Sequence, residues 1–213
     1  MTPIIGLGAG GHAKVLIEIL RLRGEYEVVG LLDPDENKWH TQIHGVPVLG
    51  NDELLVSLLS QGICHAFIGL GGVGNNRPRR ELYERAIQLG FFMPSILHPQ
   101  AIISPSAKLG LGTNILAGAV LNAAACLGDN VIINSGVIVE HDCVIDNHVH
   151  IATGARLGGT VHVMEEAHVG AGATIKQHIT IGARSIVGAG AVVVKDVPAA
   201  QTVVGVPAKP LKR

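Results

Sequence analysis

The chain has 213 residues, 47% of them hydrophobic, 3% aromatic and 15% charged, with 28 glycines. A formal net charge of −1 argues against a nucleic-acid-binding surface or an acidic membrane as partner. Three cysteines, Cys64, Cys126 and Cys143, are odd in number and lack metal-ligand spacing, which argues against a disulfide framework. No apolar run is long enough to span a bilayer, so the expectation is a cytoplasmic protein without membrane insertion.

The first elements alternate between strand and helix. TPIIGLGAGGHAKVLIEILRLRG (2–24) reads as a strand, a glycine turn and a helix with apolar spacing at Val15, Ile19 and Leu22. EVVGLLD (27–33) is a second strand ending at Asp33, DELLVSLLSQG a helix, HAFIGLG a third strand and RPRRELYERAIQLG a further helix. Such alternation predicts a small parallel α/β sheet of Rossmann-like kind over residues 1–98. The turn Gly8-Ala9-Gly10-Gly11-His12-Ala13 fits G-x-G-x-x-A between a strand and a helix. Backbone N–H groups and the helix dipole favour a phosphate there, and Asp33 is placed to hydrogen-bond a ribose or base. Fewer than a hundred residues suit a mononucleotide or sugar nucleotide better than a dinucleotide. The alternative is a tight turn whose glycines serve packing alone.

Residues 99–213 have a different texture. Stepping by six from Ile103 to Val193 meets an aliphatic residue at each of sixteen positions, without an insertion. Four places after each aliphatic the residue is mostly small or β-branched, as at Ala119, Val131, Val137, Cys143, Val149 and Ala155. A six-residue period suits neither a continuous helix nor a hairpin series. It predicts a short strand with two inward residues, then a tight turn, repeated so that strands stack into parallel sheets. The pattern resembles the hexapeptide acyltransferases, which implies an all-β left-handed parallel β-helix with three hexapeptides per coil. Residues 18 apart then stack.

GAGGHAKV near the start, GVPVLG (45–50), GNN with following basic residues (74–80), LHPQAIISPSA (97–107), VEHDC (139–143) and GVPAK (205–209) occur in that order. Together they resemble the NeuD/PglD-type acetyltransferases across both halves of the chain. The resemblance implies a homotrimer formed through the β-helix, acetyl-CoA as co-substrate, and no metal. It also implies a nucleotide-linked substrate on the N-terminal domain, such as a UDP-, dTDP- or GDP-linked 4-amino-4,6-dideoxy sugar destined for a surface glycan or glycoprotein. His141 matches the catalytic base of the family, Asp142 the carboxylate that orients it, and Gly159 a backbone N–H offered to the acetyl carbonyl. His150 matches a histidine near the acetyl-CoA pocket. The turn of Gly8, Gly10, Gly11 and His12 matches the segment near the nucleotide phosphates, and Asp33 an acidic position near the base. Pro34 stands where many relatives carry a second acid.

The repeat register sorts the histidines. His141 falls in a turn at a corner of the predicted prism, and Gly159 lies 18 residues on, directly beneath it. A base and a bare N–H at one corner suit acyl transfer. His150 and His168 precede inward aliphatics, so both point outward and stack on one face, across the prism from His141. This predicts an active site shared between subunits. His148 is expected to face water, His162 and His168 to lie on the surface or at an interface, and Cys143 to be core rather than an acyl carrier. The coenzyme is expected near the stacked turn residues Ala171 and Ala189. The tail residues Lys209, Lys212 and Arg213 are within reach of its phosphates or form a solvated terminus. Alternatives are O-acetylation of sialic acid or a related free sugar, and, more distantly, a zinc-dependent β-helix carbonic anhydrase. The latter uses histidines five residues apart, a spacing absent from this repeat.

Overall fold

The computed structural model describes residues 1–211, so Lys212 and Arg213 lie outside the described residues. It divides into two compact units: residues 1–71 with 78–99, and residues 72–77 with the chain from 100 onward.

The first unit is a five-stranded sheet with helices. Its elements are β1 (Thr2–Leu7), α1 (Gly11–Arg23), β2 (Tyr26–Leu32), β3 (Gln42–Ile43), β4 (Val46–Gly50), α2 (Leu55–Ser60), β5 (His65–Ile68) and α3 (Arg77–Leu89). The strand order is β3-β4-β2-β1-β5. β1 runs parallel to β2 and β5, and β2 parallel to β4, whereas β3 pairs antiparallel with β4. The alternation of strand and helix therefore missed the edge hairpin, whose second strand is the GVPVLG segment. Strand alternation sends Ile5 and Leu7 into a cluster with Leu32, Leu55, Ile68, Tyr83 and Phe91.

Helix α1 corrects the predicted apolar face. Val15 is 38% and Leu22 65% exposed, while Ala13, Leu16, Ile17 and Leu20 are buried together with Ile19. The sequence carries two overlapping apolar stripes, and the one starting at Ala13 wins because it follows the i, i+3, i+4, i+7 pattern most fully. Gly24, with φ +68°, ends the helix by donating its N–H to Leu20 O at 3.0 Å.

The second unit is a left-handed parallel β-helix. Two-residue strands at 102–103, 120–121, 138–139, 156–157, 174–175 and 192–193 make one face. Those at 108–109, 126–127, 144–145, 162–163 and 180–181 make a second. Strands at 114–115, 132–133, 150–151, 168–169 and 186–187 belong to the third, which Thr202–Val204 continues. Pairing joins residues 18 apart throughout the repeat, for example Ile138 with Arg156 and Ile151 with Val169. The inward aliphatics from Ile115 to Val193 are buried in one continuous stack. Glycines after the aliphatics let coils close: a methyl group at Gly170 would lie 2.6 Å from Ala189 N. Lys209 sits in a final short strand, Lys209–Pro210, antiparallel to the segment at 203–204.

Candidate functional site

The glycine turn of the first unit separates into structural and open positions. Gly8 has φ +105°, a conformation side chains rarely adopt, and a methyl group there would lie 2.9 Å from Leu70 N. Gly10 and Gly11 are different, because a methyl group on either meets nothing within 4 Å. Gly10 caps α1 without a side-chain hydrogen bond, so the first-turn N–H groups receive no cap acceptor from it.

Asp33 closes this turn onto the end of β2. Its Oδ2 accepts from Ala9 N at 2.8 Å and Lys38 Nζ at 3.0 Å, and its Oδ1 accepts from Asp35 N at 3.0 Å. Burial by itself would raise the carboxyl pKa, but the donors of Ala9, Asp35 and Lys38 outweigh it and hold the group below its usual value. The carboxylate is thus an ionised anchor with part of its acceptor capacity already used. Gly8 and Asp33 both line a cavity of about 510 Å³, together with Pro34, Lys38, Glu81 and Arg85. The Arg85 guanidinium also pairs with Asp52.

His12, in the first turn of α1, is not among the residues lining that cavity. Its Nε2 is buried without a hydrogen-bond partner among the described residues. Burial, helped by the Arg79 cation, pulls its pKa from 6.5 to about 4, so the ring is neutral. Arg79 is 1% exposed, and burial draws its guanidinium down to about 9, still charged at neutral pH. Sequence reasoning missed this buried cation; the only hint was the basic run after GNN.

In the β-helix, the EHD corner is assembled as the register predicts. His141 Nδ1 and Asp142 Oδ2 are 2.8 Å apart, and both side chains are exposed. Asp142 takes φ +57°, a turn conformation that lays its carboxylate beside the preceding ring. One coil on, a methyl group at Gly159 would meet His141 Cε1 and Nε2 at 2.6 Å, so the ring lies against bare backbone. Thr160 N donates to His141 O at 2.9 Å and locks this corner rung. The Gly159 N–H makes no hydrogen bond to another described residue. Cys143 points inward, fully buried, with its Sγ donating to Gly158 O at 3.2 Å. Burial pushes its thiol up to about 11, which keeps it protonated and poorly nucleophilic.

The third face carries a second cluster. His150 and His168 pair across neighbouring coils with ring centroids 4.9 Å apart at 78°. Both rings are outward in the repeat, yet they are only 6% and 7% exposed. His150 Nδ1 donates to Gly72 O at 2.8 Å, and Asn134 Nδ2 approaches its Nε2 at 3.3 Å. His150, Ala171 and Ala189 line one apolar depression of about 400 Å³, walled on the other side by Gly72, Val73 and Gly74. Of the four residues expected at the coenzyme, His150, Ala171 and Ala189 thus meet in one place. Gly159 does not line that depression, and neither does His141.

His148 corrects an expectation. It is 5% exposed rather than solvated, and Asn130 Nδ2 donates to its Nδ1 at 3.0 Å. Asn130, His148 and Glu166, spaced by 18 in one corner column, are all buried, and each takes a left-handed turn conformation. His162 reaches Asp146, with Nε2 3.1 Å from both carboxylate oxygens. Among the described residues no group of three or more His, Cys, Asp or Glu side chains is placed to hold a metal ion. Among the described residues no helix is long and apolar enough to cross a membrane.

A family model described as the PglD N-terminal domain matches residues 3–86. PerB from Caulobacter crescentus, solved in complex with CoA and GDP-perosamine, is 41% identical with a TM-score of 0.91, over 99% of this chain and 97% of that one. The acetyltransferase domain of PglB from Neisseria gonorrhoeae is 42% identical with a TM-score of 0.91, over 99% of this chain and 100% of that one. The latter domain has also been solved with acetyl coenzyme A. A UDP-N-acetylbacillosamine N-acetyltransferase of Bacillus subtilis is 39% identical over 117 residues, which is 55% of this chain and 52% of that enzyme. The chain thus matches about half the length of that curated relative.

Proposed function

From the premise that the chain belongs to the PglD-type sugar acetyltransferases, we propose that it transfers acetyl from acetyl-CoA to the amino group of a nucleotide-linked 4-amino-4,6-dideoxy sugar. The observation that carries the reading is the His141–Asp142 pair seated over the bare backbone of Gly159.

The sugar amine attacks the thioester carbonyl and forms a tetrahedral intermediate. His141, with Nδ1–H donated to Asp142, takes the amine proton at Nε2. The Asp142 carboxylate holds the tautomer and supports the imidazolium that results. The Gly159 N–H, with no bond to another described residue, faces the developing oxyanion. Collapse breaks the C–S bond, and the coenzyme leaves as a thiol after regaining a proton. Cys143 is protonated and inward, which supports direct transfer over an acyl-cysteine route.

The nucleotide is assigned to the first unit, in the cavity lined by Gly8 and Asp33, with its phosphates toward Gly10 and Gly11 and the α1 N-terminus. His12, half-buried with its Nε2 enclosed and its ring neutral, serves that turn by packing rather than by charge. The coenzyme is assigned to the depression lined by His150, Ala171 and Ala189. Because His141 lies at the corner between the first and second faces and His150 on the third, a homotrimer in which a corner of one protomer meets the third face of the next would complete each site.

The test is thiol release from acetyl-CoA against a panel of UDP-, dTDP- and GDP-linked 4-amino sugars. Release with at least one amino sugar, and none with its 4-hydroxy counterpart, is the expected result. Release only with a free sialic acid would replace this reading with O-acetylation.

A further inference from the structure

The segment Gly72–Arg77 belongs by its contacts with the β-helix rather than with the sheet that precedes and follows it. Its anchor is Asn76. The side chain is 2% exposed, and its Nδ2 donates to two consecutive carbonyls of the helix wall, Glu166 O at 3.1 Å and Ala167 O at 3.0 Å. The amide folds back under the start of the segment: a methyl group on Gly72 would overlap Asn76 Oδ1. Gly72 is therefore held close above Asn76, and its carbonyl takes the Nδ1–H of His150 at 2.8 Å. Between these two points stand Val73, 96% exposed, and Gly74, which with Gly72 form one wall of the apolar depression.

We infer that Asn76 is a positioning residue for the coenzyme: it pins the Gly72–Gly74 wall onto the β-helix and, through the Gly72 carbonyl, sets the ring orientation and tautomer of His150. The inference rests on the proposed use of acetyl-CoA and adds a binding element drawn from outside the repeat. With Nδ1–H committed to Gly72, His150 presents Nε2 as an acceptor. Val73, standing in solvent beside an apolar hollow, gains burial when the thioester arm of the coenzyme enters. An exposed valine contributes nothing comparable to the folding of the chain itself.

The structure predicts a separation between the two substrates. Asn76→Asp keeps the shape but places a carboxylate against the Glu166 and Ala167 carbonyls, with no donor for either. Calorimetric titration with CoA should show about tenfold weaker binding, and initial rates a matching rise in KM for acetyl-CoA. The KM for the nucleotide sugar should stay within about twofold. Val73→Ala cannot disturb a buried contact, so it should raise KM for acetyl-CoA several-fold at unchanged Tm. Wild-type affinity for CoA in both variants would overturn the inference. So would an equal loss for both substrates accompanied by a lower Tm, the result expected of a residue that only stabilises the fold. Wild-type protein is measured alongside: failure of the wild type to bind CoA refutes acetyl-CoA use itself, a result separate from wild-type and variants binding CoA alike.

Discussion

No side chain fits at Gly159 while His141 keeps its place, because the first carbon of such a side chain would lie 2.6 Å from Cε1 and Nε2 of the ring. Two residues 18 apart in sequence are thereby a single packing unit, in which the imidazole rests on the Gly159 backbone. Gly159→Ala should displace the ring and lower kcat by about 10- to 100-fold. Gly159 has an ordinary backbone conformation, so the Tm should move little. Unchanged kcat in this variant would show that the contact is incidental.

His141→Ala removes the group proposed to take the amine proton. A loss of about 10²–10⁴ in kcat is expected if it acts as a general base. Asp142→Asn keeps the hydrogen-bond geometry but not the charge, and should fall between wild type and His141→Ala. Progress curves with the nucleotide amino sugar provide the check.

Mixing inactive chains tests whether sites are shared between protomers. His141→Ala and His150→Ala protomers, co-refolded or co-expressed, should recover activity above either parent, because some neighbouring pairs then supply both intact residues. Failure to recover activity in mixed trimers, verified by light scattering, would place each complete site within one chain.

His12 makes stability depend on pH. Its folded pKa of about 4 lies below the ordinary 6.5, so folding disfavours the protonated ring. The stabilisation is full above about pH 6.5 and declines as pH falls toward about 4, because the unfolded chain takes up the proton first. Urea denaturation at pH 7 and pH 5 should show a decline on the order of 1–3 kcal/mol. His12→Phe should lack that share of the decline, and an identical pH profile in the variant would refute it.

Ile151 is fully buried between coils. Ile151→Ala should cost about 2–5 kcal/mol, read as a lower denaturant midpoint at unchanged m-value. Ile102→Ala, at a 66% exposed position in the same repeat, provides the control and should cost well under 1 kcal/mol.

The β-helix was legible almost entirely from its six-residue period. Once strands stack by 18, the inward row, the His141–Gly159 column and the His150–His168 pair are matters of counting. A repeat makes its own long-range contacts local in register, so the pattern carries them. The first unit was less legible. A 13-residue helix with apolar residues on several sides leaves its buried stripe to the sheet it meets, and Ala13 rather than Val15 faced inward. A two-residue strand such as β3 is too short to have a period.

Counting failed where a segment from outside the repeat covers it. The sequence determined by itself that His150 points outward from the coil, since that follows from the alternation of side chains along a strand. Only the tertiary structure decided that the outward face is closed, with Gly72 bonded to His150 across 78 residues of chain. That bond depends on where a non-repeating glycine-rich segment comes to rest, and on Asn76 finding two carbonyls on a wall 90 residues away. Periodicity specifies contacts between equivalent positions. A contact between a unique segment and a repeat has no equivalent elsewhere in the chain, so nothing in the pattern could announce it.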